Sequence, residues 1–351
     1  MKEKNSHEHL ALYRKYRPAD FKDVLGQEHI IDVLMGSIKN EAISHAYLFC
    51  GTRGTGKTSV ARIFAREVGC SANDLYEIDA ASNTGVDDIR TLTESVNTLP
   101  FDSKYKIYIL DEVHMLSKSA FNALLKTLEE PPKHVIFILA TTEPEKLPET
   151  VVSRCQMFVF KKPTQKILKD LIMKVAKKEG CLIESSSAEL ISLLADGSYR
   201  DAYGILQKIL SFSPDKKISV EEIERVTGAP RSGVVNKLIT AIQDCDVAGG
   251  LGAVKEVSGA NVDAKVFFKL LLQKIRYILL LRNAPDMAKE ISEDVSEADF
   301  AFLKEFAQKN DLRITSAVLL ELLSAYDFVG RSYIAELPLE LAIIKLCQKD
   351  A

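Results

Sequence analysis

At 351 residues the chain is long enough for two or three separate cores, so nothing about its size calls for disulfides or structural metals. Lys and Arg number 46 against 49 Asp and Glu, a formal net charge of -3, which excludes the global basic bias of a nucleic-acid coat protein while leaving room for a local basic surface. The six cysteines, Cys50, Cys70, Cys155, Cys181, Cys245 and Cys347, include no C-x-x-C pair and read as reduced thiols of a cytoplasmic protein.

The opening MKEKNSHEHLALYRKYRP is charged and has no apolar signal core, and no later stretch offers roughly eighteen uninterrupted apolar residues, so no membrane partner is expected. From His45 to Phe160 the apolar runs HAYLFC, LYEIDA, KIYILD, VIFILAT and MFVF alternate with helical patterns near 57–68, 86–97 and 118–130. Most of these runs are rich in Ile, Val, Tyr or Phe, and two are nearly continuous, as strands buried on both faces require. The alternation predicts an α/β region over 1–160, a parallel sheet covered by helices.

KKPTQ at 161–165, with Pro163, punctuates the chain, and only helices are expected beyond it. A first helical region is placed at 161–228, and its last helix opens on SVEE, where Ser219 and Glu222 fit a capping box. TGAPRSG reads as a linker. A second helical region at 232–351 contains KVFFKLLLQKIRYILLLRN and ITSAVLLELLSAYDFVGRSYI, apolar enough to form a core and to leave some faces for other subunits.

Chemistry concentrates at two places. GTRGTGKT, Gly51 to Thr58, fits G-x-x-x-x-G-K-[ST] and lies between a predicted strand and a predicted helix, the context in which that motif binds a nucleoside triphosphate. Gly51, Gly54 and Gly56 let backbone N–H groups wrap a phosphate, and the following helix N-terminus adds partial positive charge. Lys57 would reach the β- and γ-phosphates and Thr58 would ligate magnesium, with Thr52, Arg53, Thr55 and Ser59 completing the nucleotide contacts. In KIYILDEVH a buried strand runs into Asp111, Glu112 and His114. Asp111 is placed to complete the magnesium shell, and Glu112 to polarise the attacking water as a general base, so hydrolysis of the bound triphosphate is expected. His114 reads as a hydrogen-bonding residue at a helix start.

GTRGTGKT, DEVHMLSKSAFNALLKTLEEPP, ATTEPEKLPETVVSRC and GSYRDA, in this order and at these spacings, resemble the AAA+ module of the bacterial DNA polymerase III gamma/tau subunit family, the motor of the sliding-clamp loader. YRKYRPADFKDVLGQEHI and ELPLELAIIKLC extend the likeness from about Tyr13 to Cys347. The resemblance implies an AAA+ RecA-like parallel five-stranded sheet with helices on both faces, followed by a helical lid and an all-α collar that holds subunits in a partial ring. Its expected partners are the other clamp-loader subunits, the sliding clamp and primed DNA.

The family's functional residues carry over by motif. Thr142 matches sensor 1, which contacts the γ-phosphate or its water. Ser153, Arg154 and Cys155 match the SRC motif, whose arginine acts in trans at the neighbour's nucleotide, where such a cation is worth ~10³ or more in rate; Cys155 reads as a packing thiol. Arg200 matches sensor 2, which reaches the phosphates from the lid. Tyr13, Arg17, Pro18, Val24 and Leu25 match the segment that covers the adenine. Contacts to DNA are expected at phosphates, since a loader acts at any primer junction, and Arg90 is a candidate.

The family usually places four zinc-binding cysteines between VGC and the strand matching LYEIDA. Here Cys70 stands alone before SANDLYE, so three ligands have no counterpart and no zinc is expected. Two other readings remain. A non-hydrolysing stator subunit is disfavoured by the intact loop and acid pair. A DNA-translocating motor of the branch-migration helicase type shares the opening, the loop and the acids, but ALLKTLEEPP followed by SRC favours the loader, and no winged-helix pattern follows the lid.

Overall fold

The computed structural model describes residues 10–82, 85–213, 216–259 and 262–347. Most of the charged N-terminal stretch, part of ASNTG before the second predicted helix, and the last four positions lie outside the described residues. By contacts the chain divides into two compact units, Met1–Leu168 with Ala195–Gly204, and Lys169–Leu194 with Ile205–Ala351.

The first unit runs α1 (Leu12–Lys15), α2 (Glu28–Lys39), β1 (Ala46–Cys50), α3 (Lys57–Glu67), β2 (Leu75–Asp79), α4 (Val86–Val96), β3 (Lys106–Asp111), α5 (Lys118–Glu129), β4 (Val135–Thr141), α6 (Glu149–Val152) and β5 (Gln156–Val159). All five expected strands are present, parallel, in the order β2-β3-β4-β1-β5. The three central strands are buried on both faces, and the two-residue period of a strand divides their side chains between two cores. Tyr47, Phe49, Ile107, Ile109, Ile136 and Ile138 pack against α2 and α3 through Leu34 and Phe64. Leu48, Tyr108, Leu110, Phe137 and Leu139 pack against α4 and α5 through Ile89, Leu92 and Leu124. The edge strands are half covered, with Tyr76, Met157 and Val159 exposed.

Register brings the C-terminal ends of the strands level. Cys50 of β1 pairs with Thr141 of β4, and Asp79 of β2 with Asp111 of β3. Loops leaving these ends therefore start side by side, as in other open parallel sheets where sites form at the carboxyl edge.

The short junction from α3 to β2 is closed by a buried carboxylate. Asp74 accepts backbone N–H bonds from Phe101, from Asp102 at 2.9 Å and from Ser103 at 2.8 Å, and the Ser71 hydroxyl donates to it at 3.2 Å. Ser71 N–H donates to Ser103 Oγ at 2.6 Å, and the Asn73 amide to Asp102 at 2.7 Å. Burial pushes the Asp74 carboxyl upward, but these donors outweigh it and hold the group well below the usual carboxylate range.

The remaining elements are α7 (Gln165–Lys178), β6 (Leu182–Ile183), α8 (Ser185–Leu194), α9 (Tyr199–Phe212), β7 (Lys217–Ile218), α10 (Val220–Thr227), α11 (Ser232–Asp244), α12 (Val247–Gly259), α13 (Ala264–Asn283), α14 (Ala288–Asp294), α15 (Glu297–Gln308), α16 (Ser316–Phe328) and α17 (Leu337–Cys347). The purely helical expectation beyond 161 is corrected by β6 and β7, a parallel pair of two residues each, too short to leave a period in the sequence. The capping box of α10 is present in both directions, and Gly228 ends that helix at φ 69°.

In the second unit, α13 places Phe267, Phe268, Leu271, Ile275 and Ile278 in a core shared with α11, α12, α15, α16 and α17. Among the ion pairs of the same unit, two are largely withdrawn from solvent. Lys274 donates to Asp299 at 2.6 Å and to Asn236 at 2.7 Å, and Lys169 donates to Asp294 at 2.7 Å.

Candidate functional site

The loop after β1 owes its path to residues without side chains. Gly51 has φ 149°, and a Cβ there would stand 2.7 Å from the Phe160 carbonyl; at Gly54, φ 76°, it would meet Ser198 Oγ at 2.1 Å. Any other residue would open the loop. Thr55 is buried and donates its hydroxyl to Thr52 O at 2.9 Å, while Thr52 and Arg53 face solvent. Lys57, only 6% exposed, donates to Gly51 O at 2.7 Å and Thr52 O at 3.1 Å. Burial pulls its ammonium below the ordinary value, opposed by the carboxylates of Glu112 and Asp111. Thr58 and Ser59 follow, half-buried, in the first turn of α3.

The end of β3 meets this loop. Thr58 donates to Asp111 Oδ2 at 2.7 Å, and the other Asp111 oxygen accepts the Glu112 N–H at 3.0 Å. Glu112 is left-handed at φ 49°, a conformation that side-chain-bearing residues rarely hold and that turns its carboxylate to the mouth of the sheet. Thr142, just past β4, donates its hydroxyl to Glu112 Oε2 at 3.0 Å. His114 makes hydrogen bonds at the start of a short helical turn, Val113–Met115. It is 6% exposed, with Nδ1 3.0 Å from Thr141 Oγ1 and 3.5 Å from Glu112 Oε2, and Nε2 3.2 Å from Glu143 Oε1.

The first turn of α9, which belongs to the first unit, lies against the same loop. Tyr199 N–H donates to Gly54 O at 3.0 Å, and the Tyr199 hydroxyl donates to Leu25 O at 2.7 Å. Arg200 is exposed, its guanidinium 5.8 Å from the centre of the Tyr13 ring. Burial lowers the Arg17 guanidinium below its ordinary value, and the cations of Arg62, Arg200 and Arg14 act the same way against Glu77. Tyr13, Arg17, Leu25 and Arg200 thus gather around one positively charged corner, which suits a polyanion. Pro18 is half-buried and Val24 packs on the core under α2.

Arg154 lies elsewhere, after α6. It donates to Thr150 O at 2.7 Å, to Ser153 Oγ at 3.5 Å and to Glu129 Oε1 at 2.6 Å, and none of these hydrogen bonds goes to the loop residues described above. Ser153 is exposed and donates to Thr150 O at 3.2 Å. Cys155 packs beside the core of α4 and α5, and burial pushes its thiol up to about 12. Arg90, on the exposed side of α4, pairs with Asp87 at 3.1 Å.

The donor set fits a hard divalent cation bound beside a triphosphate: one hydroxyl and one carboxylate oxygen already within 2.7 Å, next to a lysine and a helix N-terminus. Among the described residues no group of three or more His, Cys, Asp or Glu could hold a metal by itself. Magnesium held by Thr58 and Asp111 would therefore keep waters and phosphate oxygens as its other ligands. Spacing alone could not find Tyr199 and Ser198, which reach the site by tertiary packing; GSYRDA held them only as neighbours of a recognised residue.

Two family models match the chain. One described as DNA polymerase III, delta subunit matches residues 26–83 and 71–164, and one described as DNA polymerase III subunits gamma and tau domain III matches residues 218–351. The chain is 39% identical over 366 residues to DNA polymerase III subunit tau of Bacillus subtilis, covering 96% of this chain and 63% of that protein. It is 35% identical over 323 residues to the gamma/tau subunit of Mycobacterium tuberculosis, covering 86% and 56%, and 35% identical over 295 residues to subunit tau of Escherichia coli, covering 78% and 46%. The chain thus spans between about half and two thirds of the length of these relatives. Among solved structures, the Thermotoga maritima RuvB Holliday junction branch migration motor matches with TM-score 0.52 at 20% identity, covering 74% of this chain and 91% of that one, a likeness of fold alone.

Proposed function

We propose that this chain, which belongs to the family of bacterial DNA polymerase III gamma/tau subunits, is an ATP-hydrolysing motor subunit of a sliding-clamp loader acting on primed DNA. The observation that carries the proposal is the meeting of Lys57, the Thr58–Asp111 pair and the Thr142-held Glu112 at the joined ends of β1, β3 and β4.

In this reading Lys57 and the loop N–H groups bind the β- and γ-phosphates of ATP, the substrate. Thr58 and Asp111 would hold magnesium, which would supply neutralising charge to the phosphates. Glu112 takes a proton from the attacking water, and Thr142 fixes one oxygen of Glu112 so that the other faces the water. Arg200, stacked on Tyr13, lies at the corner where the γ-phosphate and adenine-side residues meet. Arg154 contributes its cation to the site of the next subunit, which ties turnover to assembly.

Assembly is supported by apolar surface on the last helices. Leu320, Leu323 and Phe328 of α16, Tyr333 and Ile334 after it, and Leu341 of α17 are all exposed, which leaves apolar side chains on these helices for a partner to cover. A three-part organisation, nucleotide-binding region 1–160, lid 161–228 and collar 232–351, belongs to the same proposal. Contact with DNA is assigned to phosphates, with Arg90 one candidate.

The test is Glu112→Gln in the complex reconstituted with partner subunits, clamp and primed DNA. Binding of a labelled ATP should persist while steady turnover falls by about 10²-fold or more. Turnover equal to that of the unaltered chain would overturn the assignment of the base. Zero turnover by the unaltered chain under the same conditions would favour a stator.

A further inference from the structure

We propose that Glu129 is the positioning residue for the trans-acting Arg154, an inference that rests on the finger reading of Arg154 given above. Glu129 is the last residue of α5, and Arg154 follows α6 by two positions. The two helices share a core in which Leu124, Leu128 and Val151 are fully buried, so the two backbones are held at a fixed separation. Across that separation Arg154 Nη2 donates to Glu129 Oε1 at 2.6 Å, and Nη1 donates to Thr150 O at 2.7 Å.

An exposed arginine is long and samples many rotamers, which is a poor property for a group that must present its cation to a phosphate on another chain. Two acceptors on two different helices remove that freedom before the neighbour arrives. With a longer bond from Nη1 to Ser153 Oγ at 3.5 Å, they leave two of the five N–H donors for a phosphate. The Arg154 side chain remains 34% exposed and that of Glu129 49% exposed. A pair so open to water contributes little to stability, so its effect lies in orientation.

The same pair read as a latch, with Glu129 sequestering the arginine, predicts the opposite sign. A latch releases activity when it is cut; a support loses activity. The residual exposure and the free donors favour the support.

The test uses the subunit assembled with its partners, clamp and primed DNA, in four forms: unaltered, E129A, R154A and the double variant. E129A should lower kcat for DNA-stimulated ATP hydrolysis by roughly tenfold, with KM for ATP and the melting temperature nearly unchanged. E129Q, which keeps an acceptor oxygen, should retain at least about half of the rate. In the R154A background E129A should add nothing, since both act through one guanidinium. A dead R154A complex beside a normal E129A complex overturns the positioning role alone. A raised kcat in E129A, or effects that multiply in the double variant, overturns it as well. Full activity of R154A overturns the finger and the support together.

Discussion

Glu189 of α8 is a carboxylate with little water around it, and the groups that face it decide its charge. Burial is the first cause and the neighbouring Asp294 the second, and together they push its carboxyl up to about 7, against the pull of Lys169 and the Gln273 amide that donates to Glu189 at 3.4 Å. Tyr277, bonded to Gln273 and Asp294, closes the cluster. Because the folded value lies above the unfolded one of ~4.3, the folded state holds the proton more tightly. Stability from this group is full below about pH 4 and is lost as pH rises toward 7 and beyond. Glu189→Gln should therefore raise the melting temperature at pH 8, by a stabilisation on the order of 1–3 kcal/mol, and change it little at pH 5. Equal effects at both pH values in a thermal scan would contradict the shift. At this same scale the residues proposed to serve the site divide by how they are written. Lys57, Thr58, Asp111 and Glu112 were legible because each sits at a fixed offset from a glycine loop or a strand end. Glu129 and Tyr199 were not, because their partners are 25 and 174 residues away.

Elements were more legible than single contacts. The three central strands were plain because apolar runs buried on both faces have few other homes, the two edge strands because β-rich runs alternate with helical patterns, and the helices because α3, α4 and α5 each carry an apolar stripe. Strand order was not readable, since it depends on which runs meet in space; neither was the β6–β7 pair. The junction between α3 and β2 shows what an element gains from one side chain. Asp74 supplies acceptors for three successive backbone N–H groups of the loop before β3, which would otherwise be left without partners. Asp74→Ala should cost about 2–3 kcal/mol, seen as a lower melting temperature with earlier proteolytic nicking near 99–103. A variant that melts and resists protease like the original would show that water replaces the carboxylate at no cost.

For the molecule as a whole, one chain carries a nucleotide-binding unit, a helical unit with exposed apolar helices, and an arginine held away from its own loop. A single copy thus offers a site that lacks the cation it is proposed to need and a cation that lacks a site, which is the logic of an assembly whose turnover reports that its members are in place. The Asp74 clasp adds a different consequence. Its corner is held by a carboxylate and amide hydrogens, and the adjacent Cys70 thiol, pushed up to about 11 by burial and by Asp74, stays protonated near neutrality and is a weak metal ligand there. On this reading the corner needs neither a metal nor a disulfide to close. Protein stripped with a strong chelator and then given magnesium alone should recover its full ATP turnover, whereas a requirement for added zinc would show that the corner is closed by something other than Asp74.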